Sequence, residues 1–252
     1  MIAITREVSA GLGACQLSFV ERQTIDVARA RAQHRAYQDA LAALGCKVRV
    51  LAEQVQMPDA VFVEDTAIVL DELAVMTRPG AASRRAEVAT VAEALAQHRS
   101  LRWIEEPATL DGGDVLRIGR AIHVGESARS NAEGLARLRE ILADYGYSVR
   151  GVPTRDCLHL KSAVTALDDE TVLLQPRWVD RGQFANYRII EVDEAEEHAA
   201  NVVRVGDALL MPANFPRTRQ RLLDAGYQVS TVDVSELQKA EGAVTCCSLL
   251  VS

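Results

Sequence analysis

The residues best suited to chemistry are scattered along the chain. Near its end two adjacent cysteines, Cys246 and Cys247, sit in the apolar run "EGAVTCCSLLVS". A buried cysteine is often a small hydrophobe. Beside a base or a cation it becomes a nucleophile, because the thiolate is the reactive form. Neighbouring cysteines seldom bond to each other, since that geometry is strained. The five cysteines include no C-x-x-C spacing, which argues against a zinc ribbon or a secreted disulfide framework. In a strand the pair would split, one side chain toward a core and the other toward a cavity.

A nucleophile needs a base. Of the five histidines, His159 in "CLHLKSAV" is the strongest candidate, between two leucines just before an apolar strand. Its other reading is a satisfied core histidine. His34 lies in a helical pattern, His98 in a polar stretch, His123 in the strand "AIHVG" and His198 in an acidic helix, so these four read as structural or solvated. Carboxylates cluster in "MPDAVFVEDTAIVL", where Asp59, Glu64 and Asp65 bracket and interrupt a strand-like run. Successive strand residues face opposite ways, so Glu64 and Asp65 cannot both face solvent in a packed sheet. They either pair with arginines or hold a cation. In "TLDGGDVL", Asp111 and Asp114 flank two glycines, as a turn or as a carboxylate placed to orient a histidine. "RPGAASRR" and "GESARSN" put Arg84 and Arg129 after glycine loops at helix starts, where the helix dipole disfavours a cation. Two such forks suit a carboxylate ligand, or else salt bridges to Glu87 and Glu126. The whole set suits nucleophilic attack on a cationic, carboxylate-bearing substrate, with no metal motif.

Something must bring these segments together. "TAIVLDELAVMTRPGAASRRAEVATVAEAL" reads strand, turn, strand, loop, helix. "DVLRIGRAIHVGESARSNAEGLARLREIL" and "NVVRVGDALLMPANFPRTRQRLLDAG" read the same way. "SAVTALDDETVLLQP" begins a fourth unit with a divergent sequel, and "GAVTCCSLLVS" with "MIAITR" would make a fifth from the two ends of the chain. After the full helices come further apolar strands, "SLRWIEE", "YSVRGVP" and "YQVSTVDV". The unit is therefore ββαβ, recurring about every 40–50 residues. Such a unit cannot bury its own faces, so several must pack around a centre. "TIDVARARAQHRAYQDALAALG" reads as a helix started by Thr24 or Asp26 and stopped at Gly45.

Bulk properties narrow the partners. The 252 residues, 48% hydrophobic, suffice for a sizeable core. A net charge of −7 argues against nucleic acid, whose phosphates demand a basic face. No run of 18 or more apolar residues predicts a membrane span. The opening "MIAITREVSAGLG" lacks the pattern of a signal peptide, and a reducing cytoplasm is the expected setting.

Taken in order, "PDAVFVED", "TRPGAASRR", "LDGGDVL", "VGESARSNAEG", "LHLKS" and "EGAVTCCS" resemble the dimethylargininases (NG,NG-dimethylarginine dimethylaminohydrolases) of the guanidino-group-modifying, or pentein, superfamily. The resemblance runs from about Leu17 to about Leu250. It implies a single domain over residues 1–252, a five-bladed α/β propeller of ββαβ modules around a central channel, which agrees with the repeat. It implies metal- and cofactor-free hydrolysis of Nω-methylated arginine to citrulline and methylamine or dimethylamine. Carried over by motif, Cys246 is the nucleophile, His159 the general acid/base and Asp111 the carboxylate that supports it. Asp59 and Asp65 are expected at the guanidinium, Glu64 at the α-amino group, and Arg84 and Arg129 at the α-carboxylate. Leu17 matches a lid leucine, and Ala240 a position contributing main-chain contact. A related arginine deiminase or amidinotransferase, or a non-catalytic propeller scaffold, are the alternatives. The expected partner is a small guanidino substrate, with a monomer or homodimer as the assembly. The surrounding carboxylates predict a mostly neutral Cys246 thiol in the free enzyme at pH 7.

Overall fold

The computed structural model describes residues 1–252. Its chain order is β1 (Ile2–Arg6), α1 (Val27–Ala43), β2 (Lys47–Leu51), β3 (Ala67–Val69), β4 (Leu73–Met76), α2 (Val88–Leu95) and β5 (Ser100–Trp103). Next come β6 (Val115–Ile118), β7 (Ala121–Glu126), α3 (Ala132–Leu142), β8 (Ser148–Pro153), α4 (Leu160–Ala163), β9 (Val164–Ala166), β10 (Thr171–Leu174) and β11 (Arg188–Glu191). The chain finishes with β12 (Val203–Val205), β13 (Ala208–Pro212), α5 (Pro216–Asp224), β14 (Gln228–Val232), α6 (Ser235–Gln238) and β15 (Leu249–Val251).

The strands form five separate three-stranded sheets. In each, the central strand pairs antiparallel with one neighbour and parallel with the other. Tight turns join four of the antiparallel pairs, and α-helical crossovers join four of the parallel ones. The divergent fourth unit replaces its α-helix with a short 3-10 turn, Arg181–Phe184, before β11. The two ends of the chain share one blade, with Ile2 opposite Val251 and Ile4 opposite Leu249. Asp26 caps α1 through the Arg29 N–H, and Gly45 ends it at φ +92°, a left-handed position that suits glycine.

The core is also fivefold. Each apolar cluster lies between two neighbouring blades. Ile68, Val75, Val115 and Val124 join the β3–β5 blade to the β6–β8 blade. Leu116, Ile118, Val172 and Leu174 join that blade to β9–β11. Adjacent residues of one strand serve opposite neighbours: Ala3 packs toward the β12–β14 blade and Ile4 toward β3–β5. Strand alternation thus makes every blade two-sided, and only ring closure buries both faces. The segments that link the blades, at one end of the ring, carry the polar residues of the site. No helix is long and apolar enough to cross a membrane.

Candidate active site

A small cavity of about 20 Å³ lies among the loops at that end. Asp59, Asp65, Arg84, Arg129, His159, Ala240 and Cys246 all border it. Seven of the ten expected site residues, drawn from five stretches of sequence, therefore meet at one place. Asp111 stands behind His159, and Leu17 and Glu64 do not line the cavity.

The histidine is held from two sides. Asp111 Oδ2 lies 3.0 Å from His159 Nε2, and Asp65 Oδ1 lies 3.7 Å from Nδ1. Desolvation opposes a charged imidazole, but Asp65, Asp111 and Asp114 outweigh it and raise the His159 pKa to about 9. At neutral pH this group is an imidazolium, an acid ready to donate. Its backbone is fixed as well. Asp114 Oδ1 accepts the Leu160 N–H at 3.0 Å, while Oδ2 accepts the Ser127 and Ser130 hydroxyls at 2.5 and 2.6 Å.

The two glycines of "LDGGDVL" are explained by close approach. They occupy a 3-10 turn, Gly112–Asp114. A Cβ on Gly112 would stand 2.0 Å from the Glu64 carbonyl oxygen, and one on Gly113 would stand 2.6 Å from both Asp65 Oδ1 and His159 Nδ1. The Gly113 N–H donates to Asp65 Oδ1 at 3.0 Å, and the Gly80 N–H to Asp111 Oδ1 at 2.8 Å.

The cysteines correct one expectation. They lie in a turn before β15, not in the strand itself, so alternation does not separate them. The separation is still real: Cys246 borders the cavity, and Cys247 is fully buried in an apolar cluster. Burial, Glu64 and Asp65 push the Cys246 thiol up to about 12, so the free protein holds a neutral thiol. The Ala243 N–H points at its Sγ from 3.4 Å.

The neighbours Glu64 and Asp65 have opposite destinations. Both lie in the 3-10 turn Val63–Thr66, a tighter geometry than the interrupted strand expected for them. Asp65 faces the cavity. Glu64 is bound to Lys161 Nζ at 2.5 Å and Thr245 Oγ1 at 2.7 Å, and it borders a separate cavity of about 270 Å³. The structure thus does not bring Glu64 to the place expected for an α-amino group.

The two loop arginines differ as well. Buried Arg84 donates to Asp65 Oδ2 at 2.5 Å, to Glu87 Oε2 at 2.8 Å and to the Phe62 carbonyl at 3.0 Å. Its guanidinium is committed to protein acids, the alternative partners weighed for it above. Arg129 makes no ion pair; its Nη2 touches only the Ser18 hydroxyl, at 3.2 Å. It is the cation left available for a carboxylate ligand.

Residues 16–20 close the cavity from outside. Asp59 accepts the Gln16 N–H at 3.2 Å. Glu241 accepts three consecutive N–H groups, those of Ser18 at 2.9 Å, Phe19, and Val20 at 2.8 Å. Glu241 does so from a left-handed backbone, φ +58°. Leu17 packs against an apolar cluster. The contribution of Glu241 had no signal in the sequence beyond a charge beside Gly242.

Asp65, Asp111 and His159 are close enough to share a metal ion. They do not suit one. The imidazolium cannot ligate, and Arg84 and two backbone N–H groups already occupy the carboxylates.

Five two-sided blades around one loop-built cavity, with a thiol, an imidazolium and carboxylates at its walls, define the pentein class of α/β propellers. Residues 5–251 match the profile of the family described as "N,N dimethylarginine dimethylhydrolase, eukaryotic". The chain is 43% identical over 249 residues to N(G),N(G)-dimethylarginine dimethylaminohydrolase of Streptomyces coelicolor, covering 98% of this chain and 95% of that one. It is 38% identical over 226 residues to the Pseudomonas aeruginosa enzyme of the same name, covering 89% of each. A solved cysteine-to-serine variant of the P. aeruginosa enzyme, complexed with citrulline, superposes with TM-score 0.94 at 36% identity, covering 98% and 97% of the two chains. The N-terminal domain of the cyanobacterial arginine dihydrolase ArgZ shares the fold, with TM-score 0.89 at 21% identity, covering 98% and 96% of the two chains. The chain belongs to the dimethylarginine dimethylaminohydrolase family.

Proposed function

We propose that this protein hydrolyses Nω-methylated arginine to citrulline and methylamine or dimethylamine through a covalent intermediate on Cys246. The observation that carries this reading is the single cavity shared by a neutral thiol, an imidazolium and the Asp59 and Asp65 carboxylates. A guanidinium is a poor electrophile because three nitrogens share its charge. Asp59 and Asp65 hold the cation and localise that charge, which fixes its carbon beside Sγ. The bound cation lowers the thiol pKa, so the thiol releases its proton to solvent and the thiolate forms with substrate rather than before it. Cys246 attacks, the C–N bond to the methylated nitrogen breaks, and His159 gives that nitrogen its proton. The resulting S-alkylthiouronium is hydrolysed by water activated by the now neutral His159, which regains its proton; Cys246 is expelled as thiolate, citrulline leaves, and the thiolate takes a proton back from solvent.

Asp111 keeps His159 oriented and charged. Arg129 takes the α-carboxylate, with Arg84 behind it anchoring Asp65. Ala240 and Leu17 contribute main-chain and lid contacts. Glu64 braces the floor through Lys161 and has no direct role at the α-amino group. The 252 residues act as one domain, as a cytoplasmic monomer or homodimer, without metal, cofactor, nucleic acid or membrane partner.

Incubation with L-arginine, monomethylarginine and asymmetric dimethylarginine, following citrulline, tests the reading. Turnover of the methylated substrates is expected, with more than about 1,000-fold loss in Cys246→Ser. Preference for plain arginine would favour a deiminase, and turnover surviving in Cys246→Ser would defeat the mechanism.

A further inference from the structure

Asp114 is fully buried and does not border the cavity, yet its two oxygens reach separate parts of the site. Oδ1 accepts the N–H of Leu160, the residue after His159. Oδ2 accepts the Ser127 and Ser130 hydroxyls. Each serine holds further backbone in turn. Ser127 Oγ accepts the Arg129 N–H at 3.0 Å, and Ser130 Oγ accepts the Asp111 N–H at 3.1 Å. One carboxylate therefore stands one hydrogen bond from the His159 segment and two from both Arg129 and Asp111.

The surrounding backbone makes room for this hub. A Cβ on Gly125, in β7, would stand 2.6 Å from Asp114 Oδ1 and 2.9 Å from Leu160 Cβ. Gly125 has no left-handed φ, so space and not backbone freedom calls for glycine there. Burial raises the proton affinity of Asp114, and the His159 charge and the two hydroxyls oppose that. A buried carboxylate is costly unless its lone pairs are used, and every partner here donates to it.

The substrate proposed above spans the site. Its guanidinium lies at Cys246 and His159, and its α-carboxylate at Arg129. Its length is set by its covalent bonds, so the groups that meet its two ends need a fixed separation. A misplacement of about 1 Å can cost about 100-fold in rate. Arg129 lies between β7 and α3, and His159 just before α4; no hydrogen bond joins the two side chains.

We propose that Asp114 is a positioning residue that sets the separation of Arg129 and His159, and so holds both ends of the substrate in register. This rests on the function proposed above. Ser127 carries the arm toward Arg129, the Leu160 N–H carries the arm toward His159, and Ser130 ties Asp111 to the same point.

Steady-state kinetics on Nω-methyl-L-arginine test this with Ser127→Ala, Asp114→Asn and the double variant, each checked by thermal unfolding. Ser127→Ala cuts only the arm to Arg129. KM is expected to rise about fivefold, with kcat within about twofold. Asp114→Asn keeps the shape but cannot accept both hydroxyls. KM is expected to rise at least as much, and kcat to fall at least about tenfold. His159 is then left facing Asp65 and Asp111 alone, so the alkaline limb of kcat should move to lower pH. Ser127→Ala should leave that limb in place. The double variant is expected to raise KM by less than the product of the two single effects, because both changes act on one arm. Single effects that multiply, an unchanged KM in either single variant, or an alkaline limb unmoved in Asp114→Asn would overturn the proposal. Should Asp114→Asn fail to fold, a fall in kcat in Ser127→Ala as large as its rise in KM would overturn it. A wild-type protein that leaves Nω-methyl-L-arginine untouched would overturn the functional reading and this inference with it.

Discussion

The cavity has two halves, built on different principles. The blade half comprises Asp65, Arg84, Glu87, Asp111 and His159, all buried: Arg84 is hydrogen-bonded to Asp65 and Glu87, His159 to Asp111, and a 3.7 Å charge contact between His159 and Asp65 joins the two groups. The lid half is the exposed segment from Gln16 to Val20, with Arg129 and Glu241, joined mostly through backbone N–H groups and carboxylates near solvent. In the blade half, low dielectric strengthens each pairing and penalises an unpaired member. Proton affinities are set there, above all that of His159. In the lid half each bond competes with water, so it can break and reform at small cost. One half fixes the chemistry; the other admits the substrate.

Breaking the blade half should have the largest effect. Arg84→Met leaves Asp65 and Glu87 buried without their cation, at a cost of about 3–5 kcal/mol. A sharply lowered unfolding midpoint and loss of citrulline formation are expected. Retention of both would show that the two acids do not depend on Arg84.

A subtler change in the same half is Asp111→Asn, which keeps the shape and removes one charge. A fall in kcat of about 100-fold is expected. The pH profile supplies the sharper test. In the native protein the imidazolium persists until about pH 9, so activity that needs it should decline above that. With Asp111 neutral, that alkaline limb should move to lower pH. Stability follows the same sign. The folded pKa of His159 is raised above its ordinary 6.5, so its contribution is complete below about pH 6.5 and is lost as pH rises through about 9. A limb that stays in place in Asp111→Asn would assign it to another group.

The smallest effect should come from the lid. Glu241→Gln keeps an acceptor oxygen but removes the charge that gathers three N–H groups. A rise in KM of roughly five-fold, about 1 kcal/mol, is expected with kcat nearly unchanged. Amide hydrogen exchange at residues 18–20 should quicken in parallel. A fall in kcat as large as that of Asp111→Asn would erase the distinction between the halves.

Much of this was legible from the chain. The ββαβ repeat exposed the five blades, because alternation and turn chemistry are local. The pairing of "MIAITR" with "SLLVS" was visible because each half-unit lacked its other strand. His159 and Asp111 stood out because a polar group in an apolar run needs a partner. Other features were hidden for a physical reason: they depend on distances across blades. Gly112 and Gly113 looked like turn formers, yet it is the approach of Glu64, Asp65 and His159 that requires them. Arg84 and Arg129 share one local pattern, and only their surroundings separate a buried anchor from an available fork.

The sequence alone thus determined the repeating unit, the closure of the ring by the two termini and the chemical inventory of thiol, imidazole, carboxylates and arginines. Residue type and local periodicity carry that information. The tertiary structure alone decided how the inventory is divided. It sent Asp65 to the cavity and its neighbour Glu64 to Lys161, raised the proton affinity of His159 and recruited Glu241 to the lid. Those outcomes depend on burial and on which charges lie within a few ångströms, and such distances exist only after the five blades have closed.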